Sequence, residues 1–162
     1  MVLRNLLAAT FLTLAGAPGA AVSPSIGDVV TDTTFTTAYG QDLKLEDLRG
    51  EVVVLTYWMR DCAACDALLS TLDSYYRQRR DLGLRVLAIP VEDLSDRQLK
   101  SAFKDKIIHP LAHIRGPFEP VGELPTTYVI GRNGQLRYAA PGPIGLEQLN
   151  QILVPLLREP QP

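Results

Sequence analysis

The feature that most constrains this chain is the place of its two cysteines. Cys62-Ala63-Ala64-Cys65 sits at the junction of two opposed patterns. Ahead of it runs Val52-Val53-Val54-Leu55-Thr56-Tyr57-Trp58, a continuous β-branched and apolar stretch that suits a central strand buried on both faces. Behind it, Cys65, Leu68, Leu69, Leu72 and Tyr76 recur at helical spacing. Gly83 is the expected stop, and Arg77, Arg79 and Arg80 complement the negative end of that helix. The pattern predicts a helix that begins near Cys62 and is entered from a buried strand.

The remaining punctuation extends this unit. Residues 33–37 (TTFTT) and 43–45 (LKL) are short strand candidates around a turn at Ala38-Tyr39-Gly40-Gln41. Val86–Val91 predicts a second buried strand, and Ser95 with Gln98 forms a capping box ahead of a helix over 98–106. Residues 107–124 carry Pro and Gly without a clean period, so they predict a loop holding at most one short strand. His109 and His113 fall there and are expected as loop or surface residues. Thr126–Ile130 and Gln135–Ala139 flank an Asn-Gly turn and predict a hairpin. Leu146, Leu149, Ile152, Leu153, Leu156 and Leu157 build a last amphipathic helix, which Pro155 is expected to bend or end. The order β-α-β-α, hairpin, α predicts an α/β fold with a mixed central sheet and helices on both faces.

At 162 residues, of which 46% are hydrophobic, the chain has the size of one domain and can bury a core without staples. Lys+Arg 16 against Asp+Glu 18 leaves a formal charge of -2 and no basic stripe, which argues against a nucleic-acid partner. No phosphate-cradling Gly-rich loop is present, so no organic cofactor is expected. Residues 1–20, MVLRNLLAATFLTLAGAPGA, read as a signal peptide, with Arg4 ahead of an apolar stretch from Leu6 to Leu14 and then small residues. The expected organisation is a signal peptide over 1–20, a short linker over 21–25, a domain over 26–158 and a tail over 159–162. Retention of the leader as an anchor is the alternative. After cleavage no stable membrane insertion is expected, and the expected location is a periplasm, where paired cysteines tend to oxidise.

In disulfide exchange the thiolate attacks, not the thiol. A cysteine at a helix N-terminus faces unpaired N–H groups and the positive end of the dipole, and both favour the thiolate. Two intervening residues put the second cysteine one turn below. Cys62 is therefore the candidate exposed nucleophile and Cys65 the more buried resolving thiol. Asp61 opposes the dipole and Asp66 adds negative charge, so Cys62 is expected to titrate nearer an ordinary thiol, about 8.5, than an acidic one. Asp61 also suits the N-cap of the helix. Trp58 either packs the strand end or shapes the rim of the site. Arg60 either brings positive charge to the site or is a solvated loop residue.

These residues carry a resemblance. Leu48-Arg49-Gly50 before the core strand, Trp58 four positions ahead of Cys62, the Cys62–Cys65 pair, and Gly122-Glu123-Leu124-Pro125-Thr126-Thr127 ahead of the hairpin are its anchors. Over roughly residues 26–157 the chain resembles the thioredoxin-fold proteins, and among them the exported TlpA/ResA-like thiol–disulfide oxidoreductases. The resemblance implies a thioredoxin-like fold in which Pro125 is a cis-proline beside the cysteines. It implies that the backbone of Leu124 pairs with an extended substrate segment, so that Leu124 and Pro125 bind substrate. Trp58 joins them as a substrate-binding candidate by its place at the rim, and Asp61, by its charge beside Cys62, is the candidate modulator of the pair. It further implies a reductase of protein disulfides, an inner-membrane electron donor, and clients in cytochrome c or copper-oxidase assembly. Three positions depart from the pattern. Thr56 stands where many thioredoxins carry a buried Asp, Leu68 stands where TlpA/ResA-like proteins often place Glu, and Asp61 occupies a place commonly held by an aromatic or small residue.

A second reading makes Cys62 and Cys65 soft ligands for Cu(I) in a metallochaperone-like assembly factor. Against it, Sco-type metallochaperones space their cysteines one residue wider, and His109 and His113 lie on a distant segment, unlike compact zinc spacings. A structural disulfide across so small a loop contributes little chain entropy. A peroxiredoxin would need Pro-x-x-x-Thr-x-x-Cys, and Thr56 is misplaced for it. Insulin reduction abolished by Cys62→Ser favours the oxidoreductase. A tight stoichiometric Cu(I) complex lost with either cysteine favours the metallochaperone.

Overall fold

The computed structural model describes residues 23–161. The expected signal peptide over 1–20, the start of the 21–25 linker and the last residue of the tail lie outside the described residues.

Strand β3 (Val52–Trp58) is buried at every position, as its unbroken apolar run predicts. It lies between β4 (Leu84–Pro90), with which it runs parallel, and β6 (Thr126–Ile130), which is antiparallel to it. With β1 (Thr34–Thr37), β2 (Asp42–Lys44), β5 (His109–Arg115) and β7 (Leu136–Pro141), the seven strands form one mixed sheet in the order β2-β1-β5-β4-β3-β6-β7.

Alternate residues of β3 enter two different cores. Val52, Val54 and Trp58 pack with Leu69 and Leu72 of α1 (Ala63–Arg79), Leu99 of α2 (Asp96–Ala102) and Leu153 of α3 (Leu146–Arg158). Val53, Leu55 and Tyr57 turn the other way, toward Phe35, Leu111, Phe118 and the 3-10 turn Leu45–Leu48. The α-helices thus share one face, which corrects the expectation of helices on both; among the described residues the helical cover of the other face is that short 3-10 turn.

Three further expectations are corrected. Residues 107–124 hold one strand, as expected, but at seven residues β5 is not short. Its first half pairs with β4, at Leu87↔His109, and its second half with β1, at Thr34↔Arg115. That divided pairing, together with Pro110, hides the strand from local periodicity. His109 and His113 therefore stand on a strand rather than a loop. The helix expected over 98–106 closes at Ala102, with the Ser95–Gln98 capping box in place. It stops there because Phe103 packs edge-on against Trp58, ring centroids 5.3 Å apart, while the N–H groups of Ile107 and Ile108 donate to the Asp73 carboxylate at 2.6 and 3.2 Å. Of the two outcomes expected at Pro155, an end to α3 does not occur, since the helix continues to Arg158. Pro155 and Gln151 are both exposed, so water can serve the Gln151 carbonyl that lacks an N–H partner there.

Candidate active site

Between Trp58 at the end of β3 and Ala63 at the start of α1, Met59–Cys62 carry the chain through a reversal. Cys62 is the N-cap of α1, and its Sγ accepts the Cys65 backbone N–H at 3.1 Å. Asp61, expected at that N-cap, is not there. It occupies the left-handed region at φ +55 inside the turn, whereas an N-cap needs extended backbone, and Cys62 has it with φ -116 and ψ 96. The side chain of Asp61 is exposed.

Cys62 and Cys65 form a disulfide with Cα atoms 5.2 Å apart. Their surroundings differ sharply. Cys65 is fully buried in the core with Leu68, Leu69 and Trp58, whereas Cys62 is half-buried at the helix start. Leu68 is thus part of the wall around Cys65. Thr56 is buried too, its hydroxyl 3.4 Å from that of Thr127 on β6, so a pair of neutral hydroxyls meets there.

Pro125 approaches from β6. The Leu124–Pro125 peptide is cis. Because Tyr57 is opposite Thr126, Pro125 comes level with Trp58, at the end of β3 that leads to Cys62. Leu124 is half-buried against the same core cluster as Cys62. Among the described residues, neither its backbone N–H nor its carbonyl has a hydrogen-bond partner within the protein.

The segment ahead of Leu124 is held by side chains that sequence reasoning passed over. Tyr57 donates its hydroxyl to the Phe118 carbonyl at 2.8 Å, Tyr128 donates to the Glu119 carbonyl at 2.6 Å, and the Thr126 hydroxyl bridges the N–H and carbonyl of Val121. Burial, and then the neighbouring Tyr128 and Glu119, push the Tyr57 phenol far above its ordinary range, so it stays a donor. A signal for these anchors existed, since tyrosines inside fully buried strands must find partners for their hydroxyls.

Of the other sequence candidates, Trp58 is 3% exposed and packs on Phe103. Arg60 is paired with Glu92, its backbone N–H 2.6 Å from Oε2 and its guanidinium 3.4 Å from Oε1. His109 is held away from the cysteines by Tyr76 and Arg85, and His113 is exposed on β5. Among the described residues, no group of three or more His, Cys, Asp or Glu is placed to hold a metal ion, and no helix is long and apolar enough to cross a membrane.

Residues 26–139 match the AhpC/TSA family. The chain belongs to that family. Similar to this AhpC/TSA chain is the thiol-disulfide oxidoreductase ResA of Geobacillus kaustophilus (strain HTA426), 25% identical over 134 residues that cover 80% of this chain and 76% of the relative. ResA of Geobacillus thermodenitrificans (strain NG80-2) is 26% identical over 133 residues, with the same coverage of 80% and 76%. Among solved structures, a thiol:disulfide interchange protein of the thioredoxin family from Chlorobium tepidum TLS superposes with a TM-score of 0.66 at 16% identity, covering 86% of this chain and 99% of that one. A thiol:disulfide interchange protein from Bacteroides sp. gives 0.67 at 14% identity, covering 85% and 93%. The fold is thioredoxin-like, and with its cysteine pair at the head of α1 this AhpC/TSA chain is a thiol–disulfide oxidoreductase.

Proposed function

We propose that the protein is a periplasmic reductase of protein disulfides that works through a mixed disulfide. The observation carrying this reading is the asymmetry of the pair: a half-buried Cys62 capping a helix, above a fully buried Cys65. In the first step the Cys62 thiolate attacks one sulfur of the substrate disulfide, a Cys62–substrate bond forms, and the other substrate sulfur leaves as a thiolate that takes up a proton. In the second step Cys65 loses its proton and attacks Cys62 Sγ, and the second substrate thiolate departs. Two electrons pass to the substrate, and the protein is left with the Cys62–Cys65 disulfide. An inner-membrane electron donor returns it to the dithiol.

The unpaired backbone of Leu124 beside cis-Pro125 supports strand addition by an extended substrate segment, with Asp61 modulating the pair. The reductase direction is supported by Asp61 and Asp66, whose negative charge near Cys62 disfavours the heavily stabilised thiolate of a strong oxidant. Cytochrome c or copper-oxidase assembly proteins are the proposed clients. The test is reduction of insulin by the dithiol protein. Cys62→Ser should abolish it, and Cys65→Ser should accumulate a mixed disulfide that dithiothreitol releases. A couple near about −270 mV supports the direction, and one near about −120 mV reverses it.

A further inference from the structure

The turn that delivers Cys62 is fastened from outside its own segment. β4 runs parallel to β3 with Trp58 level with Pro90, and the ladder continues one step further, as the Val91 N–H donates to the Trp58 carbonyl at 2.9 Å. Beyond that point the two chains part. The next N–H on the β3 side, that of Arg60, finds its acceptor in a side chain, Glu92 Oε2, at 2.6 Å. The other oxygen of Glu92 takes the Arg60 guanidinium at 3.4 Å. One carboxylate thus serves as a further ladder rung and holds both ends of Arg60.

The two residues after Arg60 make that bond consequential. Asp61 holds a left-handed backbone, which costs a residue with a side chain about 1 kcal/mol or more. Cys62 then returns to extended geometry as N-cap, with Sγ on the Cys65 N–H. Among the described residues, the bond to Glu92 is the one hydrogen bond from a side chain outside Met59–Cys62 to that stretch of backbone.

We infer that Glu92 is a positioning residue for the nucleophile: by accepting the Arg60 N–H it holds the left-handed turn that seats Cys62 at the helix N-cap. The inference rests on the reading of Cys62 as the attacking thiol. It adds a residue from the β4–α2 connection to the machinery. The role is that of an acceptor oxygen at a fixed place, so the negative charge of Glu92 is incidental to it. Charge alone would act in the opposite sense, since a carboxylate near Cys62 disfavours the thiolate.

The experiment compares Glu92→Ala, which removes the acceptor and the charge, with Glu92→Gln, which keeps an acceptor oxygen and removes only the charge. The readouts are the pH dependence of Cys62 alkylation in the reduced protein, the insulin-reduction rate, and the thermal midpoint. In E92A the Cys62 thiol should rise by about one pKa unit and the rate at neutral pH should fall about tenfold, comparable to losing a helix-cap bond. E92Q should restore both most of the way to the parent, with thermal midpoints of all three close together. Equal downward shifts of the thiol in both variants would make Glu92 a charge effect and overturn the inference, as would an E92A protein that alkylates like the parent. A parent protein unable to reduce insulin would sink the proposed activity, yet the alkylation profiles would still decide the role of Glu92.

Discussion

The two ends of β3 are built on opposite principles. At its entry the chain is tied down by a buried cation and a half-buried one. Arg132, 4% exposed in the hairpin turn between β6 and β7, donates to the carbonyls of Gly50, Leu82 at 2.8 Å and Leu157 at 3.0 Å, with no carboxylate partner among the described residues. The Gly50 N–H returns a bond to the Arg132 carbonyl, and Arg49 reaches the Val30 carbonyl at 3.1 Å. Even the glycines fit this arrangement. Gly83, at φ +76, leaves room for Arg132, whose Nη1 would lie 2.7 Å from a Cβ placed there.

At the exit of β3 little of this exists. Met59 and Val91 are exposed beside each other, Val121 is exposed near cis-Pro125, and the turn itself rests on Glu92. One end is over-determined and chemically silent. The other is held by tyrosine and threonine hydroxyls and by the Glu92 carboxylate, and carries the reactive sulfurs. Stability and reactivity are therefore separable in this fold, because the residues answering for each lie at opposite ends of one buried strand.

The sharpest way to break that comparison is to cut the buried cation. Arg132→Ala leaves three carbonyls without their donor and vacates a buried volume, so it should lower unfolding stability by about 3 kcal/mol or more. The variant should nevertheless keep the parent's Cys62–Cys65 reduction potential wherever it remains folded. Urea unfolding gives the first quantity, and equilibration with glutathione gives the second. A shifted potential at full folding would show that the two ends communicate.

Asp73 tests the ground between the ends. It lies on α1 but accepts the N–H groups of Ile107 and Ile108 and pairs with Arg77 at 2.8 Å, so it pins the segment entering β5 to the helix. Burial raises its pKa. The Ile107 N–H, Arg77 and the Ile108 N–H outweigh that and hold the carboxyl below its ordinary value. A depressed carboxyl contributes stability that is complete above the unfolded value of about 3.9 and is lost as pH falls through the folded value. Asp73→Asn should cost about 1–2 kcal/mol at neutral pH and should flatten the acid limb of the stability profile. Urea midpoints at pH 7 and across pH 2–5 check both, and an unchanged acid limb would remove Asp73 from this role.

How much of this was legible depends on where the information lies. The unbroken run from Val52 to Trp58, the Ser95–Gln98 cap and the Asn-Gly hairpin are local signals, and each appears in the structure where the sequence places it. Cys62 and Cys65 were legible as a motif, and cis-Pro125 only through the resemblance that its surrounding residues carry. The features that stayed hidden depend on partners far along the chain. Arg132 looks like one more polar residue of a turn until α3 folds over it, and Glu92 looks like loop until β4 lies beside β3. β5 has no period of its own because its two halves answer to different neighbours. Asp61 misled for the opposite reason. Its residue type suits an N-cap, but the reversal needed a left-handed residue, and the cap passed to Cys62.

The smallest expected effect concerns His109, away from both ends of β3. Its Nε2 lies 3.1 Å from the Tyr76 hydroxyl and 3.0 Å from an Arg85 guanidinium nitrogen. A guanidinium can only donate, so Nε2 is the acceptor and the imidazole is neutral with its proton on Nδ1. Burial first, and then the charge of Arg85, hold its pKa below the ordinary value of 6.5, while Glu51, paired with Arg85 at 2.8 Å, opposes them more weakly. Between the folded and unfolded pKa values the unfolded chain binds more protons, so stability rises with pH there. The contribution is complete above the unfolded value and is lost as pH falls through the folded one. His109→Gln keeps an acceptor for Arg85 but cannot titrate. Its urea midpoint should therefore vary less than the parent's between pH 5 and 7.5, a window above the Asp73 limb. Parallel slopes for the two proteins would show that a charged imidazole is tolerated there, and that Tyr76 and Arg85 turn away from it at little cost.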